Sequence, residues 1–207
     1  MELLSNQLKN CLYLLLLGAV ATLAIMPCDP AQAQTAPIDQ NAASIMDLVF
    51  VIDNSGSMKK NDPNFITPTV VSTFVEQLPE NAQVGMVLFD QEARLLIPLT
   101  PLAISLDRQN VMDGLGKIDY RGQFTNTPIG IERALYELKT NGRQTSQRGI
   151  IFITDGIVDT GDPAKDRELT HWLKEDIAAK CKQEGIRIFG IALTEQADFS
   201  LIQALAS

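Results

Sequence analysis

Four short apolar runs set the limits on what this chain can fold into. Residues 48–52, 84–89, 150–153 and 186–192 are rich in β-branched and aromatic residues and are mostly continuous instead of alternating. A strand that is apolar on successive residues is covered on both faces, the condition of a parallel strand between helices. A weaker run at 93–98 contains Arg94 and ends in proline, so it reads as an edge strand. Between the runs the period becomes helical. Val70, Val71, Phe74, Val75 and Leu78 form one stripe, with Pro63 or Pro68 acceptable in its first turn. Ile131, Ala134, Leu135 and Leu138 form a second, opened by Thr127 as N-cap and Pro128 as the first helical residue. Leu169, Trp172, Leu173, Ile177 and Cys181 form a third; 106–115 reads as a shorter helix and 198–207 as one more. Strands alternating with helices predict an α/β fold, a doubly wound and mostly parallel sheet flanked by helices.

Charge excludes one class of partner. The chain of 207 residues carries 17 Lys and Arg against 25 Asp and Glu, a net charge of −8. A nucleic-acid partner is not expected, because neutralising phosphates takes a surplus of cations. At the start of the chain, 11–26 is an apolar run without charge, preceded by Lys9 and followed by Pro27 and then Ala31-Gln32-Ala33. This pattern predicts a signal peptide over 1–33, a polar linker over 34–44, and the domain over 45–207. Export is the consequence, to the periplasm, the cell surface or the medium. Membrane attachment is expected only if the run, just short of a bilayer span, is retained. Cleavage removes Cys11 and Cys28, leaving Cys181 without a disulfide partner and suited to a small core position.

Polar residues collect where the strands end. The first run leads into Asp53 and continues Asn54-Ser55-Gly56-Ser57, a D-x-S-x-S pattern; the third leads through Thr154 into Asp155. Thr125 and Thr127 lie in a loop just before a helix start. Open α/β sheets bind ligands at the carboxyl ends of their strands. Each residue taken singly has an ordinary role as a turn residue or a cap. Together they offer two carboxylates and several hydroxyls, an all-oxygen set that suits a hard divalent cation. Gly56 permits the tight turn that brings the serine hydroxyls round.

These residues carry a resemblance. Asp53-Asn54-Ser55-Gly56-Ser57-Met58, the Thr125-Asn126-Thr127 loop and Ile153-Thr154-Asp155-Gly156 resemble the von Willebrand factor type A domain, and within it the secreted bacterial members. The resemblance implies a Rossmann-like fold and a metal-ion-dependent adhesion site. In that site Ser55, Ser57 and Thr125 offer hydroxyls to Mg²⁺, or to Mn²⁺ or Ca²⁺ in its place. Asp53 and Asp155 bind directly or through water, and a protein partner contributes a carboxylate. A monomeric, non-enzymatic interaction module is the expectation. Two departures stand out. Gly122-Gln123-Phe124 replaces the glycine pair of many relatives, and only 198–207 follows the last run, so the family's final strand and helix are expected to be lacking.

Rival chemistries fit less well. Asp159-Thr160-Gly161 has the composition of an aspartic-protease triplet, yet no second copy faces it in sequence. A Mg²⁺-dependent hydrolase with Asp53 as nucleophile would want an acid two residues on, where Ser55 stands. Gly114-Leu115-Gly116 lacks the third glycine of a dinucleotide site, and His171 with Glu175 reads as a solvated helix face. A metal-free scaffold that uses another face is the remaining alternative.

Overall fold

Strand β1 (Met46–Asp53) is apolar on successive residues and stands at the centre of the sheet. The computed structural model describes residues 45–155, 158–192 and 199–205. The expected signal segment 1–33, the linker 34–44, Gly156 and Asp198 lie outside the described residues. The other strands are β2 (Gln83–Phe89), β3 (Ala93–Pro101), β4 (Gln147–Thr154) and β5 (Ile186–Ala192). They lie in the order β3-β2-β1-β4-β5. β1 pairs in parallel with β2 and β4, and β4 with β5, whereas β3 runs antiparallel to β2 at the edge. Register sets Asp53 opposite Phe89 and Ile52 opposite Ile153, so β1, β2 and β4 finish level.

Helices cover both faces, as the continuous apolar runs require. The helices are α1 (Met58–Asn61), α2 (Ile66–Gln77), α3 (Ser105–Leu115), α4 (Thr127–Asn141), α5 (Pro163–Trp172), α6 (Ala178–Gln183) and α7 (Phe199–Leu205). On one face Val49, Val51, Phe89 and Phe152 join Ile131, Ala134 and Leu138 of α4, and Leu201 and Leu205 of α7. On the other, Phe50 meets Phe74 of α2 edge-on at 5.6 Å. Among the described residues the sheet ends at β5.

Two helices depart from the sequence reading. The cap of α4 is Asn126; Thr127 is already helical and Pro128 follows it. The loop is held from outside, by the Asn126 N–H on the Asp90 carbonyl at 2.8 Å and by Thr125 pairing with Asp159. That sets the entry register and leaves Thr127 fully buried, its hydroxyl without a hydrogen-bond partner among the described residues. The third stripe runs through α5, a π turn at Leu173–Ile177, and α6. Leu169, Leu173, Ile177 and Cys181 are spaced by fours, which on an α-helix drifts by about 120° over three steps. The wider π turn absorbs that drift: the Ala178 N–H reaches the Leu173 carbonyl five residues back, and Leu173, Ile177 and Cys181 all stay buried.

Close approach of α4 to the sheet brings its first turn to the strand ends. A Cβ at Gly130 would stand 2.9 Å from the Phe89 ring. Gly130→Val should therefore cost about 1–3 kcal/mol through overpacking. Urea unfolding measures this, and a midpoint equal to wild type would show that α4 lifts without penalty.

Candidate metal centre

After β1 the chain crosses to β2 and β3 on one side of the sheet; after β4 it crosses to β5 on the other. The crevice between the ends of β1 and β4 is thus the topological switch point. Asp53, the last residue of β1, is 0% exposed. Its Oδ1 accepts the Ser55 N–H at 2.8 Å and its Oδ2 the Thr154 hydroxyl at 2.8 Å. Asp53 does close a turn, then, but that does not balance its charge. Burial pushes its carboxyl up to about 7; hydrogen bonds from Ser55 and Thr154 work against the rise, and the negative charge of Asp155 adds to it.

Ser55 and Asp155 lie beside it, with Ser57 next to Ser55. The Ser55 and Ser57 hydroxyls lie 2.9 Å apart. Asp155 follows directly on β4 and accepts from the Asn61 amide at 3.0 Å, which ties it to α1. Thr125 is set between two backbone pairings. Three residues before it, Gly122 bridges Ser55; at Thr125 itself the N–H meets the Asp159 carbonyl at 2.7 Å. Asp53, Ser55, Thr125 and Asp155 are all buried, whereas Ser57 is exposed and marks the mouth.

A polar frame that sequence reading did not find holds this loop. The Asn54 carbonyl side-chain oxygen accepts the Asp119 and Tyr120 N–H groups at 3.0 and 2.9 Å, and its amide donates to Asp119 at 3.0 Å. The Asn54 hydrogen bond, with help from Arg121 and Arg94, holds the Asp119 carboxyl below its ordinary value. The Tyr120 hydroxyl donates to Asp62 at 2.6 Å, and Asp62 also accepts the Ile66 and Thr67 N–H groups at the start of α2. Burial would raise the Asp62 carboxyl, but these donors outweigh it and keep it low. Phe65 and Tyr120 both have positive φ, 50° and 53°, and their rings stack at 4.8 Å. For bulky residues that backbone is strained and is tolerated where contacts over-determine it. Gly122 is needed where it stands. The Gly56 N–H bonds its carbonyl at 2.8 Å, and a Cβ there would fall 2.2 Å from the Asp90 Cβ.

Residues behind the rival readings have structural places. His171 and Glu175 are exposed on one helix face. Cys181 is buried, and burial pushes its thiol up to about 11. Asp159-Thr160-Gly161 is a turn: Asp159 accepts the Gly161 N–H at 2.9 Å and the Thr160 hydroxyl donates to Asp166 at 2.6 Å. Among the described residues no three or more His, Cys, Asp and Glu side chains form a metal-sized cluster, so the crevice stands out by its hydroxyls instead. No helix among them is long and apolar enough to cross a membrane.

The family model of the von Willebrand factor type A domain matches residues 47–207. The chain belongs to this family. Among solved structures it is similar to proximal thread matrix protein 1 from the mussel byssus, in a form with a zinc-occupied MIDAS motif. There the identity is 20% and the TM-score 0.62, over 79% of this chain and 42% of that one. It is also similar to a von Willebrand factor type A protein from Catenulispora acidiphila, at 16% identity and TM-score 0.62, over 79% of this chain and 36% of the other. A third is the conserved hypothetical protein BatB from Bacteroides thetaiotaomicron, at 19% identity and TM-score 0.56, over 78% and 85%. The chain thus spans about two fifths of the mussel protein's length. No curated protein sequence matches. At these identities the likeness is one of fold.

The raised Asp53 carboxyl has a signed consequence. The folded domain holds this proton to a higher pH than the unfolded chain does, so ionising Asp53 destabilises the fold as pH rises from about 4 to about 7. With EDTA present, wild-type stability relative to Asp53→Asn should fall by a few kcal/mol across that window. Chemical denaturation at each pH measures the difference, and a constant gap would refute the assignment.

Proposed function

We propose that this type A domain binds a protein partner through a divalent cation, Mg²⁺ or in its place Mn²⁺ or Ca²⁺, held by Asp53, Ser55, Ser57, Thr125 and Asp155. The partner supplies a carboxylate. What supports this is that Asp53, Ser55 and Asp155 come together at the switch-point crevice, with Ser57 bonded to Ser55 and the 122–125 stretch tied to Ser55 through Gly122. The donor set is all oxygen, which a hard cation prefers. The charge that acts on buried Asp53 is a second negative one, Asp155. A bound cation would supply the positive charge this pair calls for, together with an electrophilic contact for an outside carboxylate.

The chain's own residues do the rest. Thr154 and the Ser55 N–H fix the Asp53 carboxylate, leaving its charge unmatched. Asn61 orients Asp155. Exposed Ser57, with half-exposed Phe65 and Ile66 beyond α1, forms a rim for a partner to rest on. Two carboxylates balance a divalent charge without exceeding it, so a third from outside is not repelled. The zinc in the mussel protein's MIDAS motif supports a metal in this class of site but does not choose the ion. The apolar run at 11–26 and the small residues up to Ala33 support export of the domain.

Calorimetric titration of the folded chain with Mg²⁺ or Mn²⁺ tests the assignment. Wild type should bind, and Asp53→Ala should bind at least about tenfold more weakly. Asn61→Ala, which frees Asp155, should weaken binding by about 10-fold with the ligands intact. Equal binding by all three proteins would sink the proposal. Partner capture that survives EDTA unchanged would instead favour a metal-free contact.

A further inference from the structure

At the pole opposite the metal crevice, where β4 and β5 begin, the surface changes sign. A cleft of about 350 Å³ opens there beside Gln147 and Gly185, and the charged residues that line it are Arg148, Lys182 and Arg187. All three are cationic, in a chain whose net charge is −8. The acids nearby are already matched: Glu184 pairs with Lys139 at 2.6 Å and buried Asp47 with Arg143. Among the described residues, none of the three cleft cations is ion-paired with a carboxylate.

Two of them are nevertheless held in place, by neutral groups. The Arg148 guanidinium donates to the Glu184 backbone carbonyl. The Arg187 guanidinium donates to the Gln147 side-chain oxygen at 2.7 Å and lies 5.7 Å from the centre of the Phe189 ring. A guanidinium fixed by a carbonyl keeps its full charge and its remaining N–H donors, in a fork that matches an oxyanion. Gly185 has φ +64° and, among the described residues, open space where a side chain would stand.

We propose that Arg148, Lys182 and Arg187 form a binding site for phosphate-type oxyanions, separate from the metal crevice. Two sources share that chemistry, free phosphate and a phospholipid headgroup. The chain enters the domain at this same pole, where the Ile45 carbonyl accepts the Gln147 N–H at 2.8 Å. A headgroup source therefore sets this pole toward the lipid and the metal crevice away from it.

The test uses the full chain in two arms. One titrates inorganic phosphate by calorimetry. The other measures co-sedimentation with vesicles of phosphatidylcholine alone and with added phosphatidylglycerol. Lys182→Gln with Arg187→Gln leaves the Arg148 brace intact and should weaken binding by about tenfold in the arm that responds. Lys165→Gln with Arg167→Gln, the same loss of charge on exposed α5, should leave binding near wild type. A response to phosphate identifies the free ion as sufficient; a response only to phosphatidylglycerol identifies the headgroup. No response in either arm, or equal losses in the two double variants, overturns the site.

Discussion

Asp53 is wholly buried at the end of the central strand, and a carboxylate so placed must be met by donors or by a cation. Much of the upper half of the molecule is arranged around that demand. β4 finishes level with β1 so that Thr154 reaches one oxygen; the chain turns at once after β1 so that the Ser55 N–H reaches the other. Neither donor removes the charge. Asp155 adds a like charge across the gap, so the local electrostatics are poor for stability alone. That cost falls at the topological switch point, where open α/β sheets bind their ligands.

A ring of backbone contacts keeps the crevice in shape. Asn54 satisfies two N–H groups of the 119–120 loop, Gly122 pairs with Ser55, and Thr125 pairs with Asp159. The ring joins the loops after β1, before α4 and after β4, through main-chain pairings at Gly122 and Thr125 and through the side chain of Asn54. Only glycine fits at its tightest crossing, against Asp90.

The layout of the sheet was legible because continuous apolar runs admit few alternatives, and the proline-bearing run with Arg94 was legible as an edge. D-x-S-x-S and the Asp after β4 were visible because strand ends are where side chains of an open sheet converge. The frame was not visible. Asn54 sits at an unconstrained position of the pattern, and its partners at 119–120 are some 65 residues away, a distance that periodicity does not span. Positive φ at Phe65 and Tyr120 was hidden for the opposite reason, since aromatic residues give no local signal for a left-handed backbone. The cap of α4 shifted by one residue because the Asn126 N–H donates to the Asp90 carbonyl and Thr125 pairs with Asp159, overriding the local preference of Thr127.

The π turn at Leu173–Ile177 also says something about length. Leu169, Leu173, Ile177 and Cys181 are spaced four, four and four, while a regular helix keeps a stripe in line with four, three and four. That pattern covers 11 residues and drifts by only about 20°. The turn thus has the geometry of a one-residue insertion taken up where it occurs, with α5 and α6 undisturbed on either side. Removing one exposed residue such as Glu175 would leave an unbroken α-helix whose buried stripe still faces the sheet. The extra residue is taken up inside the turn, and the strand that follows keeps its place in the sheet.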